Sequence, residues 1–267
     1  MSELKIIPTV KRSFNLLKKD PALLALFILP AVFPIERIIA NYLMLFIILA
    51  TLGRSGIPSV PSLMPPIPFQ VIYLIVGFLL GVWASAGAIL KVTELEKGSK
   101  LGLIKALTRG LKRIPKLLVP AIAGLALYTL MISGMTIVIS RYTFLRMGPL
   151  VQGASPSIPS TVALILVAVL IFIVTLYVAT RLRLSAPACV LENNFGLNTS
   201  WKVIKGNWWK VFAIFLIFGA MSALISQIPI IGIYLRGVIV EPLSITAATL
   251  IYFQLQEAKP SREEGIP

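Results

Sequence analysis

Four ionisable residues stand where a chain this apolar has least reason to carry them. Glu36 and Arg37 lie inside an apolar stretch from about residue 22 to 51, and Arg236 and Glu241 lie inside another from about 232 to 254. At the centre of a membrane span an Arg, Lys or Asp is unfavourable by roughly 2.5–3.5 kcal/mol, and Glu is similar. Such charges persist only by pairing or by facing water. Opposite signs on both stretches allow crossed pairs, Glu36 with Arg236 or Arg37 with Glu241, provided the two stretches are neighbours. Pro30, Pro34 and Pro242 sit beside them, and each proline frees a backbone carbonyl that needs another partner. Broken helices with charges at mid-depth are how secondary transporters build a substrate site. The same residues also suit an ion-pair latch between helices, and both chemistries stay open at this stage.

Other chemistries have little to work with. The chain has no histidine, which excludes histidine acid–base catalysis and histidine metal ligation. A single cysteine, Cys189, makes neither an internal disulfide nor a thiolate cluster. Five of the ten acidic residues (Glu3, Asp20, Glu257, Glu263 and Glu264) fall near the termini. A two-carboxylate site would have to use Glu94, Glu96 and Glu192. There is no nucleophile elbow, no His-Glu-x-x-His and no phosphate-binding glycine loop. The expectation is a protein that is not an enzyme and has no cofactor or metal.

The elements that must position these residues are membrane spans. Of the 267 residues 57% are hydrophobic and 13% charged, with a mean hydropathy of +0.92, whereas soluble domains carry about 25% charged residues. A span needs ~20 apolar residues, which predicts six: about 22–51, 69–92, 116–140, 160–181, 208–229 and 232–254. The net charge of +15 would suggest nucleic acid in a soluble protein. Here its placement argues for topology and for no nucleic-acid partner. Twenty basic residues precede span one, lie between spans two and three or four and five, or follow span six; the opposite loops hold only Arg54, Arg141 and Arg146. That asymmetry predicts a multi-pass cell-membrane protein with both termini cytoplasmic. The first span would serve as an uncleaved anchor, and the outer loops "RSGIPSVPSLMPPIP" and "RMGPLVQGASPSIPS" read as irregular.

Three basic segments are alike: "SFNLLKKDPALL", "LTRGLKRIPKLL" and "SWKVIKGNWWKVF". Lys18, Lys112 and Lys205 coincide at offsets of 94 and 93 residues. This predicts one membrane domain over 1–258, built from three units (about 8–97, 101–193 and 195–258), with a flexible cytoplasmic tail at 259–267. Each unit would be an interfacial amphipathic helix followed by a two-helix hairpin. The expected apolar stripes are Val10, Phe14 and Leu17; Ile104, Leu107, Leu111 and Ile114; and Trp201, Ile204 and Trp208. Lys18, Lys105, Arg109, Lys112, Arg113 and Lys205 would then face anionic headgroups. Asp20-Pro21 reads as an N-cap followed by proline at the first helical position. Gly77, Gly81, Ser85 and Ala88 form a small-residue stripe suited to close packing.

Residues 181–209 carry a further pattern: Pro187, then Glu192-Asn193, then Ser200-Trp201 and Gly206-Asn207-Trp208. It resembles the six-span prokaryotic family of the glycerophosphoryl diester phosphodiesterase membrane domain and its uncharacterised archaeal and bacterial relatives. The resemblance covers about thirty residues specifically and the six-span layout generally. It implies the fold and little about activity, because the catalytic domain of fused relatives has no counterpart here. On its own chemistry, Pro187 would end or kink span four, and Glu192 and Asn193 would cap free backbone groups.

The expected fold is thus an all-α six-span bundle. The expected function is to organise or bind membrane lipid, or a membrane protein partner. The alternative is a carrier or channel for a small solute or lipid, using Glu36, Arg37, Arg236 and Glu241.

Overall fold

The computed structural model describes residues 4–33, 67–152, 158–192, 194–229 and 231–258. Among them every regular element is helical. In chain order these are α1 (Ile6–Lys19), α2 (Ala22–Ala31), α3 (Ile67–Glu96), α4 (Leu103–Leu111), α5 (Ile114–Gln152), α6 (Ile158–Glu192), α7 (Leu197–Ile204), α8 (Trp208–Ser226), α9 (Gly232–Leu235), a π-helical turn (Arg236–Val240) and α10 (Glu241–Glu257). Among the described residues five stretches are long and apolar enough to cross a membrane: Val71–Glu96, Ile114–Val138, Ile165–Glu192, Trp208–Ser226 and Gly232–Glu257. Of the expected first span, the described part is the short helix α2; Pro34, Glu36 and Arg37 lie outside the described residues.

Several boundaries move outward from the sequence expectation. Helix α5 runs on through Gly148-Pro149 to Gln152, so part of the expected irregular loop, with Arg141 and Arg146, is helical. Pro187 does not end its helix either; α6 continues past it to Glu192. A proline costs its helix a few kcal/mol locally. Beyond it Ala188, Cys189 and Val190 are almost completely buried, and burying a valine side chain returns ~1.5–3 kcal/mol.

The chain divides into two compact units: 1–34, 75–123 and 180–267 in the first, 35–74 and 124–179 in the second. The first is organised around α10, whose buried residues run from Pro242 to Leu255. Helices α1, α2, α7 and α8 pack against it. Residues of α3 and α6 complete the same core through Ala84, Ala88, Val92, Leu184 and Ala188.

Helix α1 shows how that packing differs from the expected stripe. Its buried face is Thr9, Ser13, Leu16 and Leu17, while Val10 and Phe14 are only partly buried. Thr9 Oγ1 lies 3.2 Å from Gln254 Oε1 and 2.7 Å from the Lys5 carbonyl. Small hydroxyl residues that satisfy themselves on the helix's own carbonyls let two helices approach closely.

In the second unit, α5 and α6 meet where a Cβ on Gly134 would lie 3.2 Å from Ile171 Cδ1. Thr136 and Thr175 are buried there, whereas Leu130, Ile137, Leu166, Leu170 and Ile173 are more than half exposed. A helix apolar all round must be surrounded by protein or by hydrocarbon. Within α6 only 11% of the most apolar stretch is buried by protein.

Candidate functional site

The π-helical turn is the local consequence of Pro242. Proline has no N–H and its ring collides with the carbonyl four residues back. The chain inserts one residue before it, so that the Glu241 N–H reaches the Arg236 carbonyl across five residues. Such turns inside α-helices occur mostly as single insertions. Helix α2 crosses at this point: a Cβ on Gly237 would stand 2.8 Å from Ala31 Cβ. The described part of the first stretch therefore neighbours the last, as crossed pairing requires, with α2 touching α9, the π-turn and α10. The proposed partners Glu36 and Arg37 fall outside the described residues, as does Pro34. Pro30 lies in the last turn of α2, and its carbonyl accepts from the Phe33 N–H at 2.9 Å. Arg236 and Glu241 are both half-buried.

The register between α6 and α10 sets which residues lie level with Glu241. Arg183 donates to Ser244 Oγ, a separation of 61 residues. Tyr252 Oη and Gln256 Nε2 donate to Glu192 Oε1, at separations of 60 and 64. The two helices therefore run in the same direction in a nearly constant register. Carried back to Glu241, that register brings the carboxylate level with Thr180 and Arg181. There the uncharged run of α6 stops.

Arg181 and Arg183 were expected in a cytoplasmic loop. Both are helical, and each is held by a neighbour. The Arg181 guanidinium carbon lies 4.2 Å from the Trp201 ring centroid, and that of Arg183 lies 5.4 Å from the Phe215 ring. The two residues are two apart on the helix and so point to different sides. Sequence reasoning missed both as bundle residues. The signal for a longer helix was apolar spacing continuing past them at Leu184, Ala188 and Leu191.

The family-like segment forms a hydrogen-bond junction around Glu192. Besides Tyr252 and Gln256, its carboxylate accepts from Asn194 Nδ2 and Thr199 Oγ1, both at 2.9 Å. Tyr252 is fully buried. Glu192 therefore ties the end of α6 to α7 and α10. Four donors fill its acceptor sites, which is the arrangement of a structural anchor. Gly196 closes the turn at φ +63°, and a Cβ there would stand 2.5 Å from the Ser185 carbonyl oxygen. Ser200 is buried, Trp201 carries Arg181, Gly206 turns the chain at φ +91°, and the Asn207 N–H reaches the Ile204 carbonyl at 2.9 Å. Trp208 opens α8 and stacks on Phe212 at 5.1 Å. Asn193 lies outside the described residues.

The basic end holds one buried pair that the sequence hides. Lys91, expected as one more topology charge, is 3% exposed. Its Nζ lies 2.7 Å from Asp20 Oδ2 and donates to the Leu101 carbonyl at 2.6 Å. The other Asp20 oxygen accepts from the Ala22 N–H at 3.2 Å, so the expected cap is kept and a second duty added. Arg12 pairs with Glu96, and Glu94 accepts from Ser99. Glu94, Glu96 and Glu192 thus each have partners of their own.

Helix α4 has three faces. Ala106 and Gly110 are buried; a Cβ on Gly110 would lie 3.0 Å from the Gly87 amide nitrogen on α3. The close approach of α3 is here, and not at Gly81, where there is open space. Trp83 Nε1 donates to the Leu107 carbonyl at 2.8 Å across the same contact. Of the expected stripe, Ile104 is 78% and Leu111 56% exposed. They form an outward apolar face beside the packed one. Lys105, Arg109 and Lys112 are exposed on the remaining side, as are Lys18 on α1 and Lys205 after α7, while Arg113 is half-buried.

Comparison with known proteins adds no family: no family model matches the chain, no curated protein matches its sequence, and no solved structure matches its fold.

Proposed function

We propose that this chain is a non-enzymatic, multi-pass protein of the cell membrane, with both termini in the cytoplasm. In this reading it gathers anionic lipid headgroups along its cytoplasmic side. The observation that carries the reading is the three-faced α4, with Ala106 and Gly110 against protein, Ile104 and Leu111 outward, and Lys105, Arg109 and Lys112 exposed beside them. A helix lying at a bilayer surface needs that third combination: apolar side chains for the acyl boundary next to cations for the headgroups. A short basic helix precedes a longer one in the same way at α7–α8, and the basic α1 precedes the apolar α2. This supports the three-unit repeat and six spans as the architecture. A membrane protein partner seated on the same face is the second candidate ligand. The phosphodiesterase membrane-domain family remains the proposed kinship, on the residues 187–208 pattern alone.

The test uses the full chain in nanodiscs of mixed phosphatidylcholine and phosphatidylglycerol, with native mass spectrometry counting co-purified lipid. Exposed basic residues near a charged surface contribute about 1 kcal/mol each. The Lys105→Gln, Arg109→Gln, Lys112→Gln triple change should therefore weaken phosphatidylglycerol retention by about two orders of magnitude. Equal retention of both lipids by the unaltered chain would sink the proposal.

A carrier or channel is the second reading. It is favoured by the π-turn that sets Arg236 and Glu241 next to Pro242, since such turns are frequent at functional sites. Solute flux in proteoliposomes that vanished with Glu241→Gln would favour transport.

A further inference from the structure

We propose that Arg183 holds the phosphate of a phospholipid, where α6, α8 and α10 meet. This site is separate from the basic face of α4 and does not depend on it.

Arg183 follows an uncharged run that ends at Thr180, and its side chain is exposed. A guanidinium has five N–H donors and is always charged. One donor goes to Ser244 Oγ, and the guanidinium carbon lies 5.4 Å from the Phe215 ring centroid. Among the described residues no carboxylate lies within ion-pair distance of Arg183; Arg12–Glu96 and Lys91–Asp20 are ion pairs elsewhere. The carboxylate nearest in register, Glu241, makes neither. A cation at the edge of a hydrocarbon layer needs an anion or water, and the anion present at that depth is the lipid phosphate. Ser244 takes one Nη1 donor and Phe215 lies beside the guanidinium, which leaves further donors of a planar fork able to bind two phosphate oxygens together.

The acyl chain has a matching surface. Beyond Phe215, α8 presents Leu216 and Leu224, 57% and 73% exposed and two turns apart on one side of the helix. A chain descending from a phosphate at Arg183 would lie along them. The recognised chemistry is a phosphodiester carrying acyl chains; a free phosphate would meet the same fork without the apolar contact.

The full chain, stripped of lipid in a mild detergent, is titrated with phosphatidylglycerol, with diacylglycerol and with inorganic phosphate. Binding is read by native mass spectrometry and by quenching of tryptophan fluorescence with a brominated phosphatidylglycerol. The expected result is one phosphatidylglycerol whose affinity falls by about tenfold or more in Arg183→Gln. It falls less in Arg183→Lys, which keeps the charge but not the fork. The α4 triple variant should leave this lipid bound, so the two sites fail independently. Diacylglycerol binding as well as phosphatidylglycerol, or inorganic phosphate displacing the lipid, would overturn the proposal. So would unchanged affinity in Arg183→Gln. If Arg183→Gln does not fold, Arg183→Lys alone decides: undiminished affinity there overturns the proposal, and a drop supports it.

Discussion

Lys91 Nζ lies 2.7 Å from Asp20 Oδ2, with both side chains nearly enclosed. The pair joins the α1–α2 corner to the end of α3, and the Leu101 carbonyl takes a further Lys91 proton. Removing one partner of a buried pair strands the other charge, at a cost of about 3–5 kcal/mol. Lys91→Met should therefore lower the thermal midpoint of the purified chain sharply, and Asp20→Asn together with Lys91→Met should recover most of the loss. A double variant no better than the single one would show that the pair contributes nothing of its own.

Tyr252 and Glu192 are the centre of the second junction. Tyr252→Phe keeps the ring and deletes the hydroxyl, so the expected loss is about 1–3 kcal/mol, as for an unmade bond to a charged group. Thr199→Ala removes a bond at the more exposed side of the same carboxylate and should cost less. Denaturation in detergent that ranked the two the other way round would move the centre of the junction to α7.

Gly196 has a positive φ, and a Cβ would press on the Ser185 carbonyl and on Cys189. Gly196→Ala combines backbone strain of ~1–3 kcal/mol with a clash against backbone atoms. It should impair folded yield far more than Gly102→Ala, where nothing lies within 4 Å. Comparable yields by size-exclusion chromatography would contradict this.

Glu241 is half-buried and, among the described residues, makes no hydrogen bond or ion pair through its carboxylate. Glu241→Gln removes a charge from an apolar bundle and should leave the thermal midpoint unchanged or raise it. The gain is bounded by the roughly 2.5–3.5 kcal/mol of a central charge. Arg236→Gln should lower the midpoint, and adding Glu241→Gln should not restore it. Restoration in the double variant would instead establish the ion-pair latch.

The residues themselves determined that this chain is helical and built from apolar stretches of spanning length. Backbone groups in such a stretch can be satisfied only within a helix, so length and composition are enough. The corner at Asp20-Pro21 followed from an equally local signal, a cap with its proline; the proximity of the first and last stretches did not, since the complementary charges only required it. Pro187 did not end its helix because a helix breaker acts locally, while the burial that offsets it, at Ala188 to Val190, is gained against other helices.

Tertiary structure alone decided which charges are surface and which are core. Lys91 is indistinguishable in sequence from Lys97 or Lys100, and only the arrival of Asp20 from another helix makes it a buried partner. The same holds for Tyr252 beside Glu192, Ser244 beside Arg183 and Gly110 beside Gly87. Each is a pairing between distant segments, set by helix register and close approach, and a one-dimensional pattern of apolar and basic residues carries neither.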